Sequence, residues 1–144
     1  MQEYFVFFQE NLLLSLIWLG IFIALIMNIV KSVTANHKVV TAAQATQLIN
    51  REDGVVVDIR TKDEYKQGHI TDAVHILATD IKSGNLTTLE RHKSNPIILV
   101  CKTGQTAQQS AEQLFKAGFE RVYVLKNGLT AWTEANLPLV RSKR

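Results

Sequence analysis

The sequence predicts a three-layer α/β domain, with a central parallel sheet and helices on both faces, preceded by one transmembrane helix. The first observation is a long uncharged apolar segment near the N-terminus of the 144-residue chain. The second is that four apolar strand-like runs alternate with helix-like segments along the rest of the chain. The third is that the strand-like runs lack an apolar–polar alternation, which favours strands covered on both faces.

The apolar segment covers residues 12–30, and no charged residue lies between Glu10 and Lys31. As an α-helix it would be roughly 28 Å long, which matches a bilayer core of about 30 Å. A secretory signal peptide is the alternative, but such a peptide begins with positive charge and has an apolar core of only about 7–15 residues. Residues 1–11 contain no Lys or Arg. We therefore expect an uncleaved membrane anchor.

All 16 Lys and Arg residues of the chain follow this segment, with Lys31 and Lys38 close to its end. Positively charged flanks stay in the cytoplasm, so we expect the N-terminus outside and the following domain in the cytoplasm. The mild basic excess favours the anionic membrane surface as a partner. Nucleic acid is not an expected partner, because no basic stretch is interleaved with aromatic residues. A single cysteine fits a reducing compartment, since it cannot form an internal disulfide.

These features divide the chain into five parts. Residues 1–11 form an N-terminal segment and residues 12–30 the anchor. Residues 31–40 mix small polar and basic residues and are interpreted as a short linker. Residues 41–140 form the folded domain, and residues 141–144 are a basic tail.

The first half of the domain begins with Thr41 and Gln44, which have the spacing of a capping box and predict a helix through Asn50. The β-branched run at 55–59 predicts a buried strand. A short polar helix at 61–67 should end at Gly68, because glycine tolerates the backbone conformation of a helix end. A second short strand is predicted at 73–76 and a further helix at 86–92.

The second half has the same alternation. A strand is predicted at 97–100, followed by a helix from Thr106 to Lys116 or Ala117. The expected apolar stripe of that helix consists of Ala107, Ala111, Leu114 and Phe115, and Gly118 should end it. The last strand is predicted at 121–125, and Asn127 with Gly128 turns the chain into a final helix at 129–135.

Cys101 lies where the strand at 97–100 ends and a loop leads into a helix. A thiol at such a place faces converging backbone N–H groups and the positive end of a helix dipole, which favour the nucleophilic thiolate. The alternative is a buried core cysteine, a common role for a free thiol. Asp58 and Arg60 follow the first strand, so parallel strands would bring them to the same sheet edge as Cys101. Four scattered histidines and one cysteine do not make a metal site, and no cofactor is expected.

Three groups of residues, in this order and spacing, resemble the rhodanese family. The first is Asp58-Ile59-Arg60 with Glu64-Tyr65 and Gly68-His69-Ile70. The second is the six-residue stretch from Cys101 to Thr106, which resembles the family's active-site loop. The third is Gly128, Trp132, Pro138 and Leu139. Together they cover about residues 38–140, and the whole chain is similar to a single-domain bacterial rhodanese with an N-terminal membrane anchor.

The resemblance implies sulfurtransferase chemistry. Cys101 would take a sulfane sulfur from a donor such as thiosulfate or a protein persulfide, and would pass it to a thiol or another nucleophile. The loop N–H groups of Lys102, Thr103, Gly104, Gln105 and Thr106 would point at the sulfur and stabilise its charge. Gly104 would allow the curl that this arrangement needs. Asp58 and Arg60 are expected to hold loops together around the site.

Loop length separates this chemistry from a related one. The phosphatases and arsenate reductases of this fold have one more residue in the loop and an Arg at its end, whereas a six-residue loop suits a sulfur atom. Thr106 occupies the last loop position, where many rhodaneses have Arg, so a fixed positive charge for an anionic donor is absent. Thr106 could instead cap the following helix. Lys102 could supply the charge, or could be an ordinary surface lysine.

Two functions follow. In the first, the protein is a membrane-anchored sulfurtransferase or persulfide carrier of the bacterial inner membrane. In the second, the fold is a docking module that binds a membrane-protein partner, and its thiol chemistry is incidental. The intact cysteine loop favours the first function, and the anchor favours the second as an addition to it; the two functions are compatible.

Overall fold

The computed structural model describes residues 1–33 and 37–142. The chain divides into two compact units, Met1–Ala35 and Asn36–Arg144. Residues 34–36 of the predicted linker and residues 143–144 of the predicted basic tail lie outside the described residues.

The N-terminal unit consists of two helices, α1 at Gln2–Glu10 and α2 at Leu12–Val33. Within α2, Leu12–Val30 has a mean hydropathy of 2.6 over its 19 residues, and it is the single helix in the described part of the chain that is long and apolar enough to cross a membrane. An apolar helix therefore covers the segment 12–30 that the sequence predicts as an anchor, and the helix continues to Val33. Helix α1 was not predicted, and Asn11 separates it from α2.

The second unit contains five strands and five α-helices among the described residues. In chain order they are β1 Lys38–Val40, α3 Ala42–Glu52, β2 Val55–Asp58, α4 Lys62–Gln67, β3 Val74–His75, α5 Ala78–Ser83, β4 Ile97–Val100, α6 Gln105–Lys116, β5 Val122–Leu125 and α7 Gly128–Glu134. The strands form one sheet in the order β1-β5-β4-β2-β3. Every pairing in the sheet is parallel, as predicted.

The core lies on both faces of this sheet, which confirms the three-layer architecture. Strand β4 is central and buried along its whole length, and its side chains alternate between the two faces. Ile97 and Leu99 pack in one layer with helices α5 and α6. Ile98 and Val100 pack in the other layer with residues of α3 and α7. A strand covered on both faces needs apolar residues at every position, which explains the unbroken apolar run.

The predicted linker at 31–40 is wrong at its C-terminal end. Lys38–Val40 forms the edge strand β1, which pairs with β5 through the register Val39 to Val124. Three residues that begin with a lysine give too short a pattern to indicate a strand. Pairing with an existing parallel neighbour supplies the stability that local propensity does not.

The region between β3 and β4 also differs from the prediction. A helix was expected at 86–92, but the α-helix there is α5 at Ala78–Ser83, and only a short 3₁₀ turn forms at Glu90–His92. Helix α5 has no side-chain cap at its start, so it lacks the usual sequence signal. Its Ile81 is buried, and this packing holds the helix in place.

The buried face of α6 differs from the predicted stripe by one residue. Ala107, Ala111 and Leu114 are buried as expected. Phe115 is 38% exposed, and Ser110 takes a buried place on the helix instead. Three of the four buried residues of α6 therefore have small side chains.

Candidate active site

The carboxyl ends of the neighbouring strands β2 and β4 bring the predicted residues to one edge of the sheet. Asp58 is the last residue of β2 and pairs with Val100, the last residue of β4. Cys101 follows Val100 directly. Parallel topology brings both strand ends to one edge of the sheet, and the adjacency of β2 and β4 places them side by side there.

Cys101 lies in a curled loop between β4 and α6, and its side chain is only 6% exposed. The backbone N–H of Gly104 donates a hydrogen bond to the Cys101 Sγ at 2.8 Å. Gly104 has φ +93°, a conformation that other residues rarely adopt, so the glycine lets the loop fold back onto its own cysteine. Among the described loop residues, Gly104 is the one whose N–H makes a hydrogen bond to the sulfur.

The start of α7 supports this loop from the side of β5. The N–H of Leu129 donates to the Cys101 carbonyl at 2.9 Å. The Thr130 hydroxyl donates to the Lys102 carbonyl at 3.2 Å. Gly128 lies so close that a Cβ there would come within 2.2 Å of the Cys101 carbonyl oxygen. The C-terminal glycine of the sequence pattern therefore leaves room for the cysteine loop itself.

Asp58 and Arg60 form a buried ion pair beside this loop. The Arg60 Nη2 lies 2.7 Å from an Asp58 carboxylate oxygen, and the two side chains are 9% and 1% exposed. Arg60 also donates to the Gly68 carbonyl at 2.6 Å. The Arg60 guanidinium is thus occupied by protein partners. Its hydrogen bonds tie the end of β2 to Gly68 at the end of α4.

Sequence reasoning missed a stack of three rings behind this ion pair. The Tyr65 ring lies between His69, at a centroid distance of 3.9 Å, and His75, at 4.6 Å. The Tyr65 hydroxyl donates to the Ala73 carbonyl at 2.8 Å. Burial, with a smaller contribution from the Asp58 carboxylate, raises the pKa of Tyr65. The His75 Nε2 is 2.8 Å from the Arg60 carbonyl, so the stack fixes the backbone next to the ion pair.

The C-terminal residues of the sequence pattern close the same region. The Trp132 indole N–H donates to the Pro138 carbonyl at 3.2 Å. His69 and Val140 exchange two backbone hydrogen bonds of 2.9 and 2.8 Å. The three sequence patterns, distant along the chain, are thus in contact in the structure, and the final segment is held against the turn after α4.

A groove of about 350 Å³ lies beside the loop. Its polar wall includes Glu64 and the exposed Lys102, and Thr130 and Thr133 line the other side. Hydrogen bonds from Thr61 lower the pKa of Glu64, and the positive charges of Arg60 and Lys102 contribute further. Glu64 is therefore an anion in this wall near neutral pH. An incoming molecule would meet both a cation and an anion there.

Thr106 does not cap α6, contrary to one expectation. The N-cap residue is Gly104, which has no side chain with which to cap the helix. Thr106 is an exposed residue in the first turn of the helix. Helix α6 begins at Gln105, one residue before the predicted start at Thr106. Nowhere in the described residues is a group of three or more His, Cys, Asp or Glu side chains placed to hold a metal ion.

Comparison with known proteins matches this architecture to one family. The family described as "Rhodanese-like domain" matches residues 41–135. The Escherichia coli protein YibN, described as uncharacterized, is 43% identical over 143 residues, which cover 99% of this chain and all of that protein. The thiosulfate sulfurtransferase GlpE of Pseudoalteromonas translucida is 36% identical over 98 residues, covering 68% of this chain and 90% of that enzyme.

Solved structures agree on the fold. The rhodanese-like domain of the Anabaena protein Alr3790 superposes with a TM-score of 0.62 at 28% identity, covering 72% of this chain and 78% of that one. A rhodanese-related protein from Thermoplasma volcanium superposes with a TM-score of 0.64 at 23% identity, covering 74% of this chain and all of that one. The likeness to the second protein concerns the fold alone.

Proposed function

Because this chain belongs to the rhodanese-like family, we propose that it is a membrane-anchored sulfurtransferase in which Cys101 carries a sulfane sulfur. The observation that carries the proposal is the 2.8 Å hydrogen bond from the Gly104 N–H to the Cys101 Sγ. A donor aimed at a sulfur atom stabilises negative charge there. An inert core cysteine would have no need of a loop folded around it.

The reaction has two displacements at sulfur. With thiosulfate as the donor, the Cys101 thiolate attacks the outer sulfur, the sulfur–sulfur bond breaks, and sulfite leaves with the bonding electron pair. Cys101 is then a persulfide, which carries a negative charge on its terminal sulfur. A thiolate acceptor attacks that sulfur, takes it as a new persulfide, and releases the Cys101 thiolate.

The loop residues have distinct places in this proposal. The N–H of Gly104 stabilises the negative charge on the Cys101 sulfur when it is the free thiolate, before it attacks the donor and again when the acceptor releases it. The backbone of Lys102, Thr103, Gln105 and Thr106 forms the rim through which donor and acceptor approach. The exposed Lys102 ammonium attracts an anionic donor to the mouth of the loop. Asp58 and Arg60 act as positioning residues, since both are engaged with protein partners.

We further propose that α2 anchors the protein in the bacterial inner membrane, with the N-terminus outside and the sulfurtransferase domain in the cytoplasm. The proposal is supported by the apolar span Leu12–Val30 and by the absence of Lys and Arg before it. The physiological donor would be thiosulfate or a protein persulfide, and the acceptor a thiol that reaches the membrane surface.

The test is sulfur uptake by the full chain in detergent. After treatment with thiosulfate, polysulfide or a persulfide-bearing cysteine desulfurase, the intact mass should increase by one sulfur atom, and dithiothreitol should remove it. Cys101→Ser should show no increase, because it lacks the thiol. A wild-type mass that stays unchanged with all three donors would contradict the enzyme proposal.

The docking module is a second candidate, favoured by the apolar helix that ties the domain to a membrane. Photo-crosslinking in native membranes distinguishes it from the first. A partner captured equally by the wild type and Cys101→Ser would indicate docking that is independent of the thiol. A partner lost with the thiol would indicate an acceptor.

A further inference from the structure

Helix α1 presents a face of aromatic side chains to its surroundings. Tyr4 and Phe5 are each 72% exposed, and no residue of α1 is buried. With about 100° between successive residues of a helix, the aromatic side chains fall on one side and the polar ones on the other. The aromatic side consists of Tyr4, Phe5, Phe7 and Phe8. The polar side consists of Gln2, Glu3, Gln9 and Glu10, with Val6 between them.

Asn11 interrupts the chain between α1 and α2. Its backbone has φ −120° and ψ 49°, which is not helical, and its N–H ends α1 by donating to the Phe7 carbonyl. The next helix begins at once, with the Ser15 hydroxyl donating to the Asn11 carbonyl at 3.0 Å. A continuous helix from Gln2 to Val33 would be roughly 48 Å long, against about 30 Å for a bilayer core. The break therefore lets α1 leave the direction of the span.

We propose that α1 lies along the membrane–water interface, with its aromatic face in the lipid and its acidic face in water. The inference rests on the proposed anchoring by α2. Leu12, the first residue of the apolar span, follows Asn11 directly, so the C-terminal end of α1 must lie at the edge of the hydrocarbon core. Aromatic side chains are favoured at this depth, where an apolar ring and a polar tip such as the Tyr4 hydroxyl are both satisfied.

The charges of α1 indicate which lipid headgroups it needs in order to bind at the interface. The helix carries Glu3 and Glu10 and has no Lys or Arg, so anionic headgroups do not attract it. Its binding comes from the buried rings and from tethering to the span. Zwitterionic phosphatidylcholine vesicles should therefore be enough to bind α1, and added phosphatidylglycerol should not strengthen the binding of this helix.

Site-directed labelling of the full chain tests this placement, and Cys101→Ser provides a background without cysteine. Single cysteines at Phe8, Val6 and Ile21 would each carry a nitroxide in phosphatidylcholine vesicles. Phe8 lies on the aromatic face, and Val6, its matched control, is about 200° away around the helix. Ile21 lies at the centre of the proposed span. The measurement is the ratio of oxygen accessibility to water-soluble nickel accessibility, which increases with depth in the bilayer.

We expect the ratio to increase from Val6, in water, to Phe8, at the interface, and to Ile21, with a several-fold difference between Val6 and Phe8. Equal, aqueous values at Val6 and Phe8 with a deep Ile21 would overturn the placement of α1 and leave the anchor intact. Equal values at Val6 and Phe8 that are as high as at Ile21 would overturn this placement too, because they would show that α1 extends the span. A shallow Ile21 would contradict the anchor itself, and the placement of α1 with it.

Discussion

Gly128 decides the position of the cysteine loop at the scale of single residues. Two constraints favour glycine there. Its φ is +56°, and an added Cβ would lie only 2.2 Å from the Cys101 carbonyl oxygen. The second constraint is stronger than the first, because the obstacle is backbone and cannot rotate away. A side chain at this position would have to push the loop away from the start of α7.

The substitution Gly128→Ala should therefore cost more than backbone strain alone. Gly84→Ala is the matched control, since Gly84 has φ +83° but nothing within 4 Å of an added Cβ. We expect the control to lose roughly 1–2 kcal/mol of unfolding free energy, and Gly128→Ala to lose about 1–3 kcal/mol more through overpacking. Urea denaturation measures the unfolding free energy of both variants. Sulfur uptake should fall only for Gly128→Ala. Equal losses for the two variants would contradict a direct effect on the loop.

The positions of the individual site residues were predictable to different degrees. Cys101, Asp58 and Arg60 were placed at one sheet edge from their positions after apolar strands, since parallel topology leaves no other arrangement. The sequence predicts that all five loop N–H groups from Lys102 to Thr106 point at the sulfur, whereas in the described loop only that of Gly104 donates a hydrogen bond to it. The direction of each amide depends on the folded loop and on its contact with α7, which no local pattern indicates. The ring stack of His69, Tyr65 and His75 was also missed, as no local pattern indicates contacts between α4 and β3.

At the scale of elements, two helices of the second unit begin with the same device but differ in charge. In α3, Thr41 and Gln44 exchange cap hydrogen bonds, and in α4, Thr61 and Glu64 do so. Both boxes follow from a sequence spacing of three, so both starts were predictable. Helix α5 and strand β1 have no comparable local signal, and they form because the sheet and its core already exist.

This difference in charge predicts a difference in pH dependence. The pKa of Glu64 is lowered from its usual 4.5 by its hydrogen bonds to Thr61, so its contribution is present above that value and is lost as the pH falls below it. Thr61→Ala and Thr41→Ala should each cost about 0.5–2 kcal/mol near neutral pH. At a second, acidic pH well below 4.5, the cost of Thr61→Ala should shrink, whereas that of Thr41→Ala should not. Denaturation at the two pH values measures the stability cost of each substitution. If the two costs changed in parallel with pH, the role of Glu64 would be contradicted.

At the scale of the whole molecule, the distribution of charge predicts the orientation of the protein in its membrane. Every Lys and Arg follows the apolar span, and only Glu3 and Glu10 carry side-chain charge before it. We expect protease added to spheroplasts to leave the domain intact, and protease added to inside-out vesicles to digest it. Digestion of the domain from the outside of spheroplasts would contradict the cytoplasmic placement.

The chain contains a single cysteine, and that cysteine is the loop residue Cys101. It therefore has no resolving thiol of its own. A loaded or oxidised sulfur at this position cannot close into an internal disulfide, so each return to the free thiolate depends on a second molecule. In cells, the return of Cys101 to its free thiolate would therefore depend on the supply of external thiols.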